Sequence, residues 1–335
     1  MTKAPPAPSR PGSRLAEIQA PVRERVDRVV EEIRRITLSD FEPQEEVGQY
    51  LLQLPGKLFR PTLLLLSSQV GGRPHNDALP LAAVVELVHL ATLVHDDAVD
   101  HSVLRRGLPT VNHLWNHQVA IITGDFLYSR SVMELTRVGR IEAIRALAEA
   151  SNRMSVGELR QLVAYDSLDF TEADYTQLIA HKTASLMAAA CEIGALVGPT
   201  AHRERLRDFG EALGMAFQIA DDLLDYEGSQ EVTGKPVGHD LRERKVTLPL
   251  VEAMRRVGPG DQERIRRFFT RVEPTQEEIE AIVSIVQEAG GLEYARERAR
   301  EYADEAAAAL DGMDETGEAM DALRASIDYA VERSR

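Results

Sequence analysis

The sequence predicts an all-α protein, and three observations carry that expectation. Apolar residues recur with helical rather than alternating spacing along nearly all of the 335-residue chain. Proline and glycine bracket the most apolar runs, as Pro61 and Gly71 bracket FRPTLLLLSSQVGG. No stretch shows the apolar–polar alternation of a strand, and Gly-Asn hairpin turns are scarce.

The elements follow in order. MTKAPPAPSRPGSR, residues 1–14, is proline-rich and reads as a flexible tail. Residues 15–335 read as one all-helical domain. LAEIQAPVRERVDRVVEEIRRI opens it with a helix interrupted near Pro21. FRPTLLLLSSQVGG is a buried helix started by Pro61. NDALPLAAVVELVHLATLVHDDAVD is a long apolar helix, and QVAIITGDFLYSRSVMELTRVG is another, in which Asp125 is the N-cap if the helix restarts there. TEADYTQLIAHKTASLMAAACEIGALVG opens with Thr171, and Asp174 three residues on gives a capping-box pattern. ERLRDFGEALGMAFQIADDLLDYEG follows, and the C-terminal third is charged and helical. No fixed-period repeat stands out.

Composition narrows the function. Apolar residues make up 44% of the chain, enough for a large core. The formal charge of -15 argues against a nucleic-acid or anionic-lipid surface, so an anionic ligand must be held by a local basic cluster or by bridging cations. The one cysteine, Cys191 in MAAACEIGA, excludes an internal disulfide and fits a reducing compartment; its setting is that of a small core residue. The N-terminus lacks the apolar region of a secretory signal, and no stretch is expected to reach membrane-span length.

Two acidic triplets share the spacing D-D-x-x-D: Asp96, Asp97 and Asp100, and Asp221, Asp222 and Asp225. On a helix, Asp96 and Asp100 share a face, as do Asp221 and Asp225, and like charges so placed repel. They also stand near helix C-termini, where the backbone already favours cations. Hard divalent cations remove that conflict; Mg²⁺ binds a few carboxylates together with phosphate oxygens. A solvated helix end is the bland alternative for one such triplet, less so for two on apolar helices. Basic residues are placed to match: Lys57 and Arg60 at a helix start, Arg105 and Arg106 after the first triplet, Lys182 beside Thr183 in an apolar helix, and Lys235 and Lys245 on a Gly/Pro-rich stretch after the second. Helix-start N–H groups favour an anion as well. Together these residues describe a diphosphate site with metals between.

GKLFRP, LVHLATLVHDDAVDHSVLRRGLPTVN, GDFLYSR, HKTASL, FQIADDLLDYEG and TGKPVGHDLRERKVTLPL, in that order, resemble the trans-polyprenyl diphosphate synthase family, densely over about residues 45 to 255. Arg244 departs from the family, which usually has Gly there, and SVGELRQL departs where the family often reads E-G-E. The resemblance implies a single-domain orthogonal helical bundle around a central cavity, of isoprenoid synthase type. It implies condensation of isopentenyl diphosphate with an allylic diphosphate such as farnesyl diphosphate: the allylic diphosphate leaves, the double bond attacks, and a proton is lost to the departing diphosphate. No nucleophile motif is present, and this chemistry needs none.

By the same resemblance, Asp96 and Asp100 would hold two of about three Mg²⁺ and Asp221 the third, with Asp97, Asp222 and Asp225 behind them or linked through water. Arg105, Lys182 and Lys235 would bind the allylic diphosphate, helped by Gln218, Thr183 and Lys245. Lys57, Arg60, His89 and Arg106 would bind isopentenyl diphosphate; His89 lies seven residues before Asp96 and so shares its helix face. Phe217 either lines the cation site or is core. The family's short-chain members carry bulky aromatics four or five positions before the first Asp. Here those positions are Thr92 and Ala91, about 7.5 Å from Asp96 along a helix for Ala91, which resembles the long-chain, octaprenyl-, heptaprenyl- and solanesyl-type synthases and implies products longer than twenty carbons. The floor would lie deeper, at Val132, Met133 or Leu135. The alternative is a short-chain farnesyl or geranylgeranyl synthase. A terpene cyclase would usually replace the second triplet, and a helical scaffold would not need Arg60 and Lys182 among apolar neighbours. A cytoplasmic homodimer is expected, without nucleic acid; a different partner subunit and peripheral membrane contact for product release are left open.

Overall fold

In the computed structural model the described residues are 11–53, 56–105, 107–163, 168–227, 238–271 and 273–332. Helices form almost all of it. α1 (Pro11–Gln19) starts within the stretch expected to be tail and gives way to a 3₁₀ turn, Ala20–Val22, at Pro21. α2 (Arg23–Thr37) buries Val26, Val29, Ile33 and Ile36, spaced three or four apart along one stripe. α3 (Glu42–Leu51) and α4 (Phe59–Gln69) follow. α4 begins two residues before Pro61, which stands in its first turn, where a missing N–H does no harm.

α5 (Ala78–Val99) is the central helix, buried on most sides. Its 22 residues are apolar enough to cross a membrane by length and composition, which corrects the expectation that no stretch would be; 67% of that window is buried inside the protein, as befits a core helix. After it, β1 (Leu104–Arg105) and β2 (Leu108–Pro109) form a small antiparallel hairpin that the sequence did not announce. A short α6 (Val111–Leu114) leads to α7 (His117–Val138). α7 runs unbroken through Asp125. Its N-cap is Asn116, which accepts a bond from the Val119 N–H at 2.8 Å.

α8 (Ile141–Val163) and α9 (Glu172–Ile179) follow, and Thr171 with Asp174 forms the expected capping box on α9. α9 runs into a π turn, Ala180–Ala184, and then α10 (Ser185–Leu196). α11 (Arg203–Glu227) carries the second triplet; α12 (His239–Arg242), α13 (Leu248–Arg256), α14 (Pro259–Phe269), α15 (Gln276–Glu288), α16 (Gly291–Asp311) and α17 (Glu318–Val331) complete the chain.

α5 packs along α7, α10 along α11 and α4, and α11 along α16. One apolar cluster gathers α2, α4, α5, α7, α10 and α17; a second gathers the end of α11 with α13 to α16. Two glycines permit the closest approaches near the site. A Cβ on Gly124 of α7 would come 2.2 Å from the His95 ring on α5, and a Cβ on Gly214 of α11 would come 2.5 Å from Ala184 in the π turn.

Candidate active site

The last turn of α5 carries the first triplet. Asp97 points into the protein and accepts bonds from the Arg105 Nε at 2.8 Å to each oxygen. The hairpin of β1 and β2 thus serves to fold Arg105 back over the helix end. Asp96 points the other way and is half-buried. Burial is the main reason its carboxyl is pushed up to about 6, with Glu158 and Asp100 adding to the push and Lys182 opposing it. Asp100, the C-cap residue, is raised as well, again through burial first.

The π turn faces this helix end. Lys182 Nζ stands 3.7 Å from Asp96 Oδ2, 2.6 Å from Glu158 Oε2 and 3.1 Å from Gln161 Oε1. On the turn's other side Thr183 Oγ1 donates to Gln218 Oε1 at 2.7 Å, and Gln218 Nε2 donates to Asp222 Oδ1 at 2.8 Å. One widened turn therefore reaches the first triplet directly and the second through Gln218, consistent with the tendency of π bulges to occur at functional positions.

The second triplet divides its labour in the same manner. Asp222 is buried, receives the Tyr175 hydroxyl at 2.5 Å, and is held well above the usual carboxylate range by burial and by Asp240. Asp225 accepts the His239 and Asp240 N–H groups at 3.0 and 2.9 Å, capping α12. Asp221 is exposed at the surface of α11. In each triplet the protein itself engages carboxylates, Asp97 in the first and Asp222 and Asp225 in the second, while Asp100 and Asp221 are exposed. Among the described residues no three His, Cys, Asp or Glu side chains converge closely enough to hold a metal ion by themselves. Hard oxygen donors set apart in this way suit a cation that keeps waters and shares phosphate oxygens.

The basic residues form two groups. Lys182 stands by the first triplet, and Lys245, half-buried and hydrogen-bonded to Glu243 at 2.6 Å, adds its charge to the field at Asp100. Burial opposes the Lys245 charge, but Glu243 and Asp240 outweigh it and raise its pKa. Away from these, Arg60 Nη1 lies 3.1 Å from His89 Nε2, and Lys57 Nζ is 6.0 Å from the centre of the Tyr329 ring. Phe217 stacks on Phe59 at 5.6 Å, against the apolar core. Arg106 and Lys235 lie outside the described residues.

Four functional candidates escaped the sequence reading. Glu158 and Gln161 sit in SVGELRQL, which stood out only as a departure from the family, yet both hold Lys182. Tyr175 binds Asp222 across 47 residues of chain. Asp240 is half-buried, and desolvation together with Asp225 pushes its carboxyl up to about 7. Of the chain-length positions, Ala91 is buried and Thr92 half-buried, its hydroxyl bonded to the His89 carbonyl at 2.8 Å. Leu135 is buried, but Val132 and Met133 are 42% and 59% exposed, so neither faces the interior of this chain.

The sequence model of the Polyprenyl synthetase family matches residues 42–286. The octaprenyl diphosphate synthase of Escherichia coli (strain K12) is 38% identical over 301 residues, which is 89% of this chain and 92% of that protein. The crystal structure of a decaprenyl diphosphate synthase from Rhodobacter capsulatus superposes with a TM-score of 0.89 at 35% identity, covering 96% of this chain and 99% of that one. A polyprenyl synthase from Caulobacter crescentus CB15, complexed with calcium and isoprenyl diphosphate, gives the same TM-score and identity over 98% and 99%.

Proposed function

The chain belongs to the polyprenyl synthetase family, and from that premise we propose the reaction and the residue roles that follow. The enzyme is a trans-prenyltransferase that condenses isopentenyl diphosphate with an allylic diphosphate to give an all-trans polyprenyl diphosphate longer than twenty carbons. The observation that carries the site assignment is the convergence of Lys182 on Asp96 from a facing element, at 3.7 Å. It sets a cation and a half-buried carboxylate at one point, the pairing a bridged diphosphate requires.

Asp96 and Asp100 would hold two Mg²⁺ and Asp221 a third, about three in all, and these ions would supply charge neutralisation for the leaving diphosphate. Asp97 fixes Arg105, Asp222 fixes Gln218, and Asp225 fixes the turn that leads to Lys245. Arg105, Lys182, Lys245 and Lys235 bind the allylic diphosphate with Thr183 and Gln218; Lys57, Arg60, His89 and Arg106 bind isopentenyl diphosphate. The half-buried Leu90, Thr92 and Leu93 on α5 give the growing chain an apolar, water-poor wall.

A homodimer is part of the same reading. Ile121, Ile122, Tyr128, Val132 and Met133 leave a long apolar strip of α7 exposed, and a second copy would cover it. Cys191 is buried, its thiol pushed up to about 12 by burial, which suits a protein of the reducing cytoplasm.

Magnesium-dependent diphosphate release from farnesyl plus isopentenyl diphosphate tests the activity. Chromatography of the dephosphorylated product tests its length, and the mass in solution tests the dimer. No release with magnesium present, or products ending at fifteen or twenty carbons, would overturn the corresponding parts.

A further inference from the structure

α4 begins in an unusual way. Its N-cap, Leu58, has φ 48° and ψ 36°, the left-handed region that a side chain other than Gly, Asn or Asp rarely adopts, and no side chain caps it. Such a conformation is strained and persists only where its surroundings enforce it. What enforces it here comes from the far end of α1. Gln19 is 7% exposed, and both hydrogens of its amide are committed: Nε2 donates to the Lys57 carbonyl at 3.1 Å and to Thr62 Oγ1 at 3.1 Å. Thr62, fully buried in α4, donates in turn to the Leu58 carbonyl at 2.7 Å. The two carbonyls on either side of the strained residue's nitrogen are thus held by one buried polar chain.

We infer that Gln19, acting through Thr62, is a positioning residue for the isopentenyl diphosphate subsite. The inference rests on the reading of Lys57, Arg60 and His89 as that subsite. Leu58 is the link between Lys57 and the first turn of α4, which carries Arg60, and the turn's direction sets where the Lys57 side chain leaves the backbone. Gln19 and Thr62 bond to the backbone between Lys57 and Arg60, so their influence falls on one of the two diphosphates. Losing the amide frees Lys57 and Leu58 to sample the ordinary backbone regions and weakens the binding of the anion they frame.

The test is steady-state kinetics with each substrate varied in turn, on Gln19→Met, Thr62→Val, Thr62→Ser and Arg60→Ala. Gln19→Met keeps the length and bulk of the side chain but carries no donor; Thr62→Val keeps the shape but loses the hydroxyl. Each should raise the KM for isopentenyl diphosphate about 5–10-fold, the loss of roughly one buried hydrogen bond, with kcat and the allylic KM within about twofold of wild type. Thr62→Ser should stay near wild type. If Arg60→Ala raises the isopentenyl diphosphate KM but Gln19→Met and Thr62→Val do not, the positioning role is overturned while the subsite stands. Equal rises in both KM values make Gln19 a general packing residue and overturn it too. If Arg60→Ala leaves that KM unchanged, the subsite reading falls and takes this inference with it.

Discussion

Lys182 lies 3.7 Å from Asp96, yet its shortest ion pair, 2.6 Å, is with Glu158. The lysine is thus tethered to one acid and held within reach of another. A cation arriving at Asp96 meets a carboxylate whose ion pair with Lys182, at 3.7 Å, is looser than the one the lysine makes with Glu158. A phosphate arriving with the cation meets the ammonium.

Asp96→Ala and Asp221→Ala should each lower kcat by about 10²–10³-fold or more, since each removes charge stabilisation of the leaving group. Circular dichroism should report unchanged helix content. Turnover within a few-fold of wild type in both variants would end the two-triplet metal reading.

Asp96 has a second signature, in pH. In the folded chain it keeps its proton up to about 6, against an ordinary value of 3.8. Between those values the folded chain binds more proton than the unfolded one. Stability therefore falls as pH rises through that window and stays at the lower level above it. With a chelator present, Asp96→Asn should melt higher than wild type at pH 7.5, by up to about 3 kcal/mol, with the gap closing as pH is lowered towards 4. A melting difference that is the same at both ends of the range would refute the burial penalty.

The two basic groups should separate kinetically. Arg60→Ala should mainly raise the KM for isopentenyl diphosphate, and Lys182→Ala should mainly impair use of the allylic substrate, by roughly tenfold or more for loss of a charge-assisted contact. Equal effects of both variants on both substrates would mean the subsites are merged or exchanged.

Ala91→Phe should shorten the products without stopping the first condensation. Ala91 is 2% exposed, so the larger ring should also lower stability, by about 1–3 kcal/mol for an overpacked site. Product chromatography with farnesyl diphosphate as primer distinguishes the cases. A destabilised protein with an unchanged product distribution would make Ala91 a packing position and nothing more.

The helices were legible because their apolar period and their caps are local. Thr171 with Asp174 is an instance: four residues of sequence state the whole motif, and the structure repeats it. The D-D-x-x-D spacing likewise announced two acidic helix ends. It could not say which carboxylates the protein would use itself, because those partners are distant in sequence: Tyr175 for Asp222, Arg105 for Asp97, the α12 N–H groups for Asp225. Asp125 misled for the converse reason. A Gly-Asp pair looks like a helix start, but Gly124 is there to let His95 approach, and the helix continues past both. Of the α7 positions expected at the tunnel floor, Leu135 is buried, but packing against the other helices, which the sequence does not state, leaves Val132 and Met133 exposed.

The π turn at Ala180–Ala184 closes through the Ser185 N–H and the Ala180 carbonyl, one residue wider than an α turn. In a regular helix each residue advances the face by about 100°, so α9 and α10 are out of step by that angle. The site is therefore encoded partly as a count of residues. Removing any single residue from this turn would leave two intact helices, with the same composition and burial tendency, and would swing Lys182 away from Asp96 or Thr183 away from Gln218. At this one place a frame slip along the helix is a graver lesion than almost any exchange of side chain, and a scan of one-residue deletions from Glu172 to Leu196 should find its sharpest loss of turnover there.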